Sequence, residues 1–215
     1  DPTRPAMTVL PHVSREEVEA IHERCPSIQI LGLNTYAGID AVVEDARQAG
    51  WEGPVIITEW GTNGGWEVPR TEWGAEIEPT STEKARQLAR RYTRILEDRN
   101  CLGSYVFFWG QKQEGTPTWF NLFLDDGSPL GGVDTLQYLW SGVSPESEAP
   151  GVANLTLHGK RAEESPRFAC GETITARYVR LGDQDEPLAI EWECLPESTD
   201  KKAGGDKEAR PEAVT

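Results

Sequence analysis

Apolar positions along the first two-thirds of the chain fall into two alternating patterns. Short, β-branched apolar runs occur at Ala6–Leu10, Ser27–Tyr36 (SIQILGLNTY), Pro54–Glu59 and Cys101–Trp109 (CLGSYVFFW), and each predicts a buried strand. Between them the apolar residues recur at helical spacing. Ser14-Arg15-Glu16-Glu17 is a capping box that opens a helix with Val18, Ile21 and Cys25 on its apolar side, stopped by Pro26. Asp40 can cap a second helix carrying Ala41, Val42, Ala46 and Ala49, with Gly50 as its C-terminal signal. Thr80-Ser81-Thr82-Glu83 is another capping box, and Leu88, Ala89, Tyr92, Ile95 and Leu96 follow at helical period. Val133–Trp140 predicts a last, shorter helix. Strand and helix alternate four times, which implies a parallel sheet with helical crossovers.

The connections are lopsided. Helix-to-strand joints are short, whereas residues 60–80 and 110–132 far exceed the usual two to six residues. These long strand-to-helix loops hold Trp60, Trp66, Trp73 and Trp119, with Trp109 at their root. Long loops on one rim, loaded with indoles, mark a functional face; the alternative is a satellite core beneath the loops. At that rim the run Pro54-Val55-Ile56-Ile57 ends in Thr58-Glu59-Trp60-Gly61. A carboxylate is costly inside a strand unless it has a partner. Glu59 therefore has a partner at the strand's C-terminal end or acts in a cleft, and in parallel α/β folds that end is where sites are built.

From Ser144 the character changes. Residues 144–152 read as a linker. Beyond it, Asn154–Leu157, Thr173–Val179 and Leu188–Trp192 alternate as strands of a small β-sandwich over 153–215. Cys170 and Cys194 flank these strands and either pair, in an oxidising compartment, or remain two free buried thiols. Asn154-Leu155-Thr156 fits a glycosylation acceptor, a frequent chance match. The tail from Ser198 is rich in Lys, Asp, Glu and Gly and is expected to be exposed or disordered, or the cut edge of a longer domain.

Composition narrows the function. Of 215 residues, 15 acidic and 9 basic lie from Ser144 onward and 21 and 12 before it, so the two parts carry −6 and −9. Both are acidic, which argues against nucleic-acid or anionic-membrane partners. No run approaches the roughly 18 apolar residues of a membrane helix. The four cysteines and three histidines show no metal-ligand spacing, and no cofactor or metal is expected. The first residue is Asp and no signal peptide is visible, as in a processed product or an excised fragment.

Sugar-cleaving sites need a carboxylate pair about the glycosidic oxygen and aromatic platforms for pyranose faces. Glu59 among many indoles fits half of that need. The ordered set Leu33-Asn34-Thr35-Tyr36, Ile57-Thr58-Glu59-Trp60-Gly61 and Tyr105-Val106-Phe107-Phe108-Trp109-Gly110 resembles the ends of strands six, seven and eight of clan A glycoside hydrolases. It is most similar to the C-terminal TIM-barrel part of glycoside hydrolase family 2. The resemblance covers residues 1–142 and implies a fold class: an α/β partial (β/α)8 barrel, strands five to eight, over 1–143, followed by the sandwich. It implies that Glu59 is the nucleophile of a retaining hydrolase, forming a glycosyl-enzyme ester later broken by water. It implies that Tyr36 donates a hydrogen bond that holds the Glu59 carboxylate and that Trp109 floors the subsite of the reacting sugar. Asn34, Trp60, Trp66 and Trp119 are implied as further substrate-binding residues.

The chain departs from that family in one respect. The family's general acid/base is a Glu following Asn at the end of strand four, and no Asn-Glu pair occurs here. The upstream half of the barrel, with the proton donor, is expected to be missing and to pack on 1–143. Glu67, Glu72, Glu114 and Asp125 in the long loops are the remaining candidates for a second carboxylate, or are solvated loop charges. Tyr178–Trp192 resembles the Asp-rich turn and Trp strand of cadherin-like or PKD-like immunoglobulin-type modules, which often trail secreted glycoside hydrolases. That implies a secreted, periplasmic or cell-surface setting. Asp183, Asp185 and Glu186 in that turn suit Ca²⁺ by oxygen ligation, against the plainer reading of a polar hairpin. Two other functions compete: a non-catalytic carbohydrate-binding or glycan-capture protein that keeps the Trp face, and a complete doubly wound α/β domain of unrelated function.

Overall fold

The computed structural model describes residues 3–182, 187–202 and 205–214. The chain divides into two compact units, Asp1–Thr62 with Gln87–Phe108, and Asn63–Arg86 with Trp109–Thr215.

The first unit is a four-stranded parallel sheet in the order β1 (Ala6–Leu10), β2 (Ile28–Asn34), β3 (Val55–Trp60), β4 (Cys101–Val106). The crossovers carry α1 (Arg15–Arg24), α2 (Val42–Gln48) and the part of α3 (Ser81–Ile95) from Gln87 onward. The expected α/β pattern and parallel pairing are thus present. Register puts Leu10, Leu33 and Ile57 on one face. Leu31, Leu33, Val55 and Ile57 are wholly buried, as are Val18 of α1, Ala46 of α2 and Leu88 of α3. The opposite face carries Val9, Gly32 and Ile56 in register. It is tight at its centre: a Cβ on Gly32 would lie 2.8 Å from Val9 Cγ2 and 3.0 Å from Thr58 Cγ2. The outer strands leave Met7, Val9, Leu102 and Tyr105 exposed.

The capping box of α1 forms as expected, with Glu17 N donating to Ser14 Oγ at 3.2 Å and Ser14 N to Glu17 Oε2 at 2.9 Å. Asp40 does not cap α2. It sits in a 3-10 turn (Ala37–Asp40), and its carboxylate accepts from Arg90 at 2.7 Å. The residue at the α2 N-cap is Ala41.

The second unit holds both long loops, the first turns of α3, α4 (Gly131–Ser141) and an antiparallel pair, β5 (Val152–Leu157) with β6 (Ala176–Arg180). Thr80 and Glu83 make the second capping box. The α4 helix ends on Gly142 in the left-handed region, φ 73°. Lys84 is buried and donates to Glu78 and, at 2.7 Å, to Thr118 O; Thr118 Oγ1 donates to the same Glu78 oxygen at 2.8 Å. One buried cluster therefore ties loop 63–80, the start of α3 and loop 109–130.

The C-terminal part differs from expectation in three ways. Among the described residues it contains a two-stranded ladder, not a sandwich, and Leu188, Ile190 and Trp192 are exposed and outside any strand. Their alternation matches a strand, but a two-stranded ladder offers no facing sheet on which to bury it. Cys170 and Cys194 are free and exposed, neither paired nor buried. The tail is docked: Glu208 is buried and accepts from Gly115 N at 2.7 Å and Lys202 N at 3.1 Å, while Lys201 donates to Glu76 at 2.8 Å. Alternating charge reads as solvation in a sequence; here the carboxylate finds backbone amides instead. Asp183, Asp185 and Glu186 lie outside the described residues.

Candidate active site

Glu59 stands where β3 loses regular pairing. The β2–β3 register shifts between Leu33 and Asn34, so that Asn34 pairs with Glu59. A shift of this kind re-aims side chains. Its consequence is that Thr58 and Glu59, consecutive residues, both reach the same asparagine. Thr58 Oγ1 donates to Asn34 Oδ1 at 2.8 Å, and Asn34 Nδ2 donates to Glu59 Oε2 at 3.0 Å. Tyr36 Oη donates to the other oxygen, Glu59 Oε1. Tyr36 is 8% exposed and its ring meets Phe107 edge-on, with centroids 6.2 Å apart. Glu59 itself is partly exposed. The result is a carboxylate at the C-terminal end of a parallel strand, with each oxygen oriented by a neutral donor and part of its surface left open.

The structure thus brings Asn34, Tyr36 and Glu59 together. It treats the indoles differently. Trp60 is 0% exposed and stacks on Tyr92 of α3, with centroids 6.0 Å apart. Trp119 is 4% exposed and donates from Nε1 to Asn63 O at 3.0 Å. Both are core residues with no ring face open to a sugar, which corrects the expectation that they bind substrate. Trp66 and Trp109 are exposed by 68% and 55%, and both belong to the second unit. Trp109 packs against Phe123 and Trp140.

The loop carboxylates have other employment. Glu67 accepts from Gly64 N, Glu72 pairs with Arg167, Glu114 with Lys112 and Asp125 with Arg210. Among the described residues no group of three or more His, Cys, Asp or Glu could hold a metal, and no helix is long and apolar enough to cross a membrane. Arg91 is the residue that sequence reading missed. It is buried on α3 and its Nη1 donates to Gly61 O. An arginine in a polar helical stretch looks solvated, and only the packing of the unit reveals otherwise.

Comparisons with known proteins are structural. No family model matches the chain, and no curated protein matches its sequence. Similar solved structures include Bacteroides uniformis beta-glucuronidase 2 covalently bound to cyclophellitol-6-carboxylate aziridine, at 15% identity and TM-score 0.50, covering 74% of this chain and 19% of that one. The beta-D-glucuronidase of Dictyoglomus thermophilum aligns at 16% identity and TM-score 0.48, over 69% of this chain and 28% of that one. Faecalibacterium prausnitzii beta-glucuronidase aligns at 18% identity and TM-score 0.46, over 65% and 25%. The chain therefore spans between about a fifth and just over a quarter of the length of these proteins. What it shares with the first of them is a coarse likeness of fold over the part that aligns.

Proposed function

We propose that this chain is part of a retaining glycoside hydrolase of the family 2 type, acting on an oligo- or polysaccharide, with Glu59 as nucleophile. One observation carries the reading: both oxygens of a partly exposed carboxylate at a parallel-strand terminus are held by Asn34 and Tyr36. A carboxylate so oriented attacks the anomeric carbon as the glycosidic C–O bond breaks, the departing oxygen taking a proton from the general acid; water, deprotonated by the same group, then displaces the carboxylate from the glycosyl ester and frees the sugar. The fold likeness to a glycoside hydrolase and the order of the three strand-end motifs support it. In this reading β1–β4 are strands five to eight of a TIM barrel over 1–143, and 153–215 is an appended module after a linker. The other half of the barrel packs on this one and supplies the general acid/base, about 5 Å from Glu59. Trp109 and Trp66 offer stacking surfaces, and the protein works at or beyond the cell surface.

The test is Glu59→Gln in the full-length polypeptide that carries these residues. Loss of hydrolysis by several orders of magnitude, with the fold intact by circular dichroism, is expected. Near-wild-type turnover removes Glu59 from the role. The exposed indoles favour a second reading, glycan capture without hydrolysis. Glycan binding by the full-length protein with no turnover of any glycoside selects it.

A further inference from the structure

Three successive carbonyls at the end of β3 are each held from a different element. Glu59 O accepts from Thr35 N, just past β2, at 2.8 Å; Trp60 O accepts from Phe107 N, just past β4, at 2.5 Å; and Gly61 O accepts from Arg91 Nη1 on α3. Arg91 is 1% exposed. A guanidinium in a core is costly unless its donors are used, and an apolar side chain of similar volume is often tolerated as well or better. What arginine adds is a rigid fork that reaches a fixed acceptor. The acceptor it reaches is two residues beyond Glu59.

Gly61 has no slack of its own. A Cβ there would lie 2.2 Å from Phe107 O and 3.5 Å from Tyr36 Cε1. That tyrosine ring is the one whose hydroxyl donates to Glu59. The Gly61 backbone therefore lies close against the end of β4 and beside the ring that aims the carboxylate, so a displacement of this residue toward either disturbs it.

We infer that Arg91 is a positioning residue for Glu59: by fixing the Gly61 carbonyl from the helix layer, it holds the end of β3 where the Tyr36 hydroxyl and the Glu59 carboxylate meet. The chemical consequence rests on the function proposed above; the geometric one does not.

The test uses the full-length polypeptide that carries these residues, with ¹³Cζ-labelled tyrosine, the Tyr36 signal being assigned with Tyr36→Phe. Wild type is compared with Arg91→Met, Arg91→Lys and Leu88→Ala, the last a buried cut on the same helix that destabilises while leaving the Arg91 donor to Gly61 O in place. Both Arg91 variants are expected to move the Tyr36 ¹³Cζ resonance and abolish its hydrogen-bonded hydroxyl proton. Leu88→Ala is expected to lower the melting temperature and leave both signals in place. An unmoved Tyr36 signal in the folded Arg91 variants overturns the inference, as does an equal shift in Leu88→Ala. Should Arg91→Met not fold, Arg91→Lys carries the comparison; failure of both to fold also overturns it, because Arg91 then serves folding rather than aim. In the full-length polypeptide, Arg91→Lys is expected to slow covalent labelling of Glu59 by a cyclophellitol aziridine roughly 10- to 100-fold, at unchanged half-saturating probe concentration. If wild type is not labelled at all, the nucleophile reading fails, while the tyrosine signals still decide the role of Arg91.

Discussion

At the scale of single residues, the candidate site is legible where sequence chemistry conflicts with its surroundings. Glu59 stands out because a carboxylate closes an apolar run, and Asn34 and Tyr36 because they close the preceding strand. Arg91 was not legible, since nothing along a helix distinguishes a buried guanidinium from a solvated one. Trp60 and Trp119 resemble sugar platforms in the sequence because an indole serves a core as well as a sugar face, and the register shift that sends Trp60 toward Tyr92 is a property of pairing between strands. The donor from Tyr36 is charge-assisted when Glu59 is ionised, so its loss costs about 1.5–3 kcal/mol. Tyr36→Phe in the full-length protein is therefore expected to lower kcat roughly tenfold to a hundredfold with KM little changed. Steady-state kinetics on an activated aryl glycoside check this, and an unchanged kcat detaches Tyr36 from Glu59's work.

At the scale of elements, periodicity sufficed for the four strands and their crossovers, because a face buried against helices forces an apolar pattern. Leu33→Ala, at a wholly buried position on that face, is expected to cost about 2–5 kcal/mol, read from the urea midpoint. A smaller loss means the sheet is not packed as described. The docking of the tail was not legible, because Lys and Glu at its positions match a solvated segment as well as a clamp. That clamp has a pH signature. Burial alone would raise the Glu76 carboxyl, but the Lys201 hydrogen bond and the charges of Lys201 and Arg70 outweigh it and hold the group below its ordinary 4.5. A depressed carboxyl contributes stability that is present above the unfolded value and lost as pH falls through the folded one. Wild type is thus expected to lose more stability than Lys201→Ala between pH 5 and 3 by thermal melts. Parallel acid limbs in the two proteins contradict the contact. Lys84 carries the opposite lesson: burial pushes its ammonium down from 10.5 despite Glu78, so the cluster that joins the loops is anchored by a group that desolvation opposes.

At the scale of the molecule, β1 and β4 bound an open parallel sheet with exposed apolar residues on both outer strands. Open edges template association. The 215-residue chain alone is expected to self-associate in sedimentation runs, and to become discrete when a polypeptide supplying the other barrel half is added. A sharp monomer with a cooperative melt means that the four-strand unit is self-sufficient and is not half of a barrel. Hydrolysis by such a barrel rests on one carboxylate. The direct measurement is tandem mass spectrometry of the full-length polypeptide after incubation with a cyclophellitol aziridine, where carboxylate attack on the ring carbon breaks the C–N bond and leaves an ester on the nucleophile. A single adduct on the peptide containing Glu59, absent in Glu59→Gln, is expected; an adduct mapped to any other carboxylate, or one that survives that substitution, rules Glu59 out as the nucleophile.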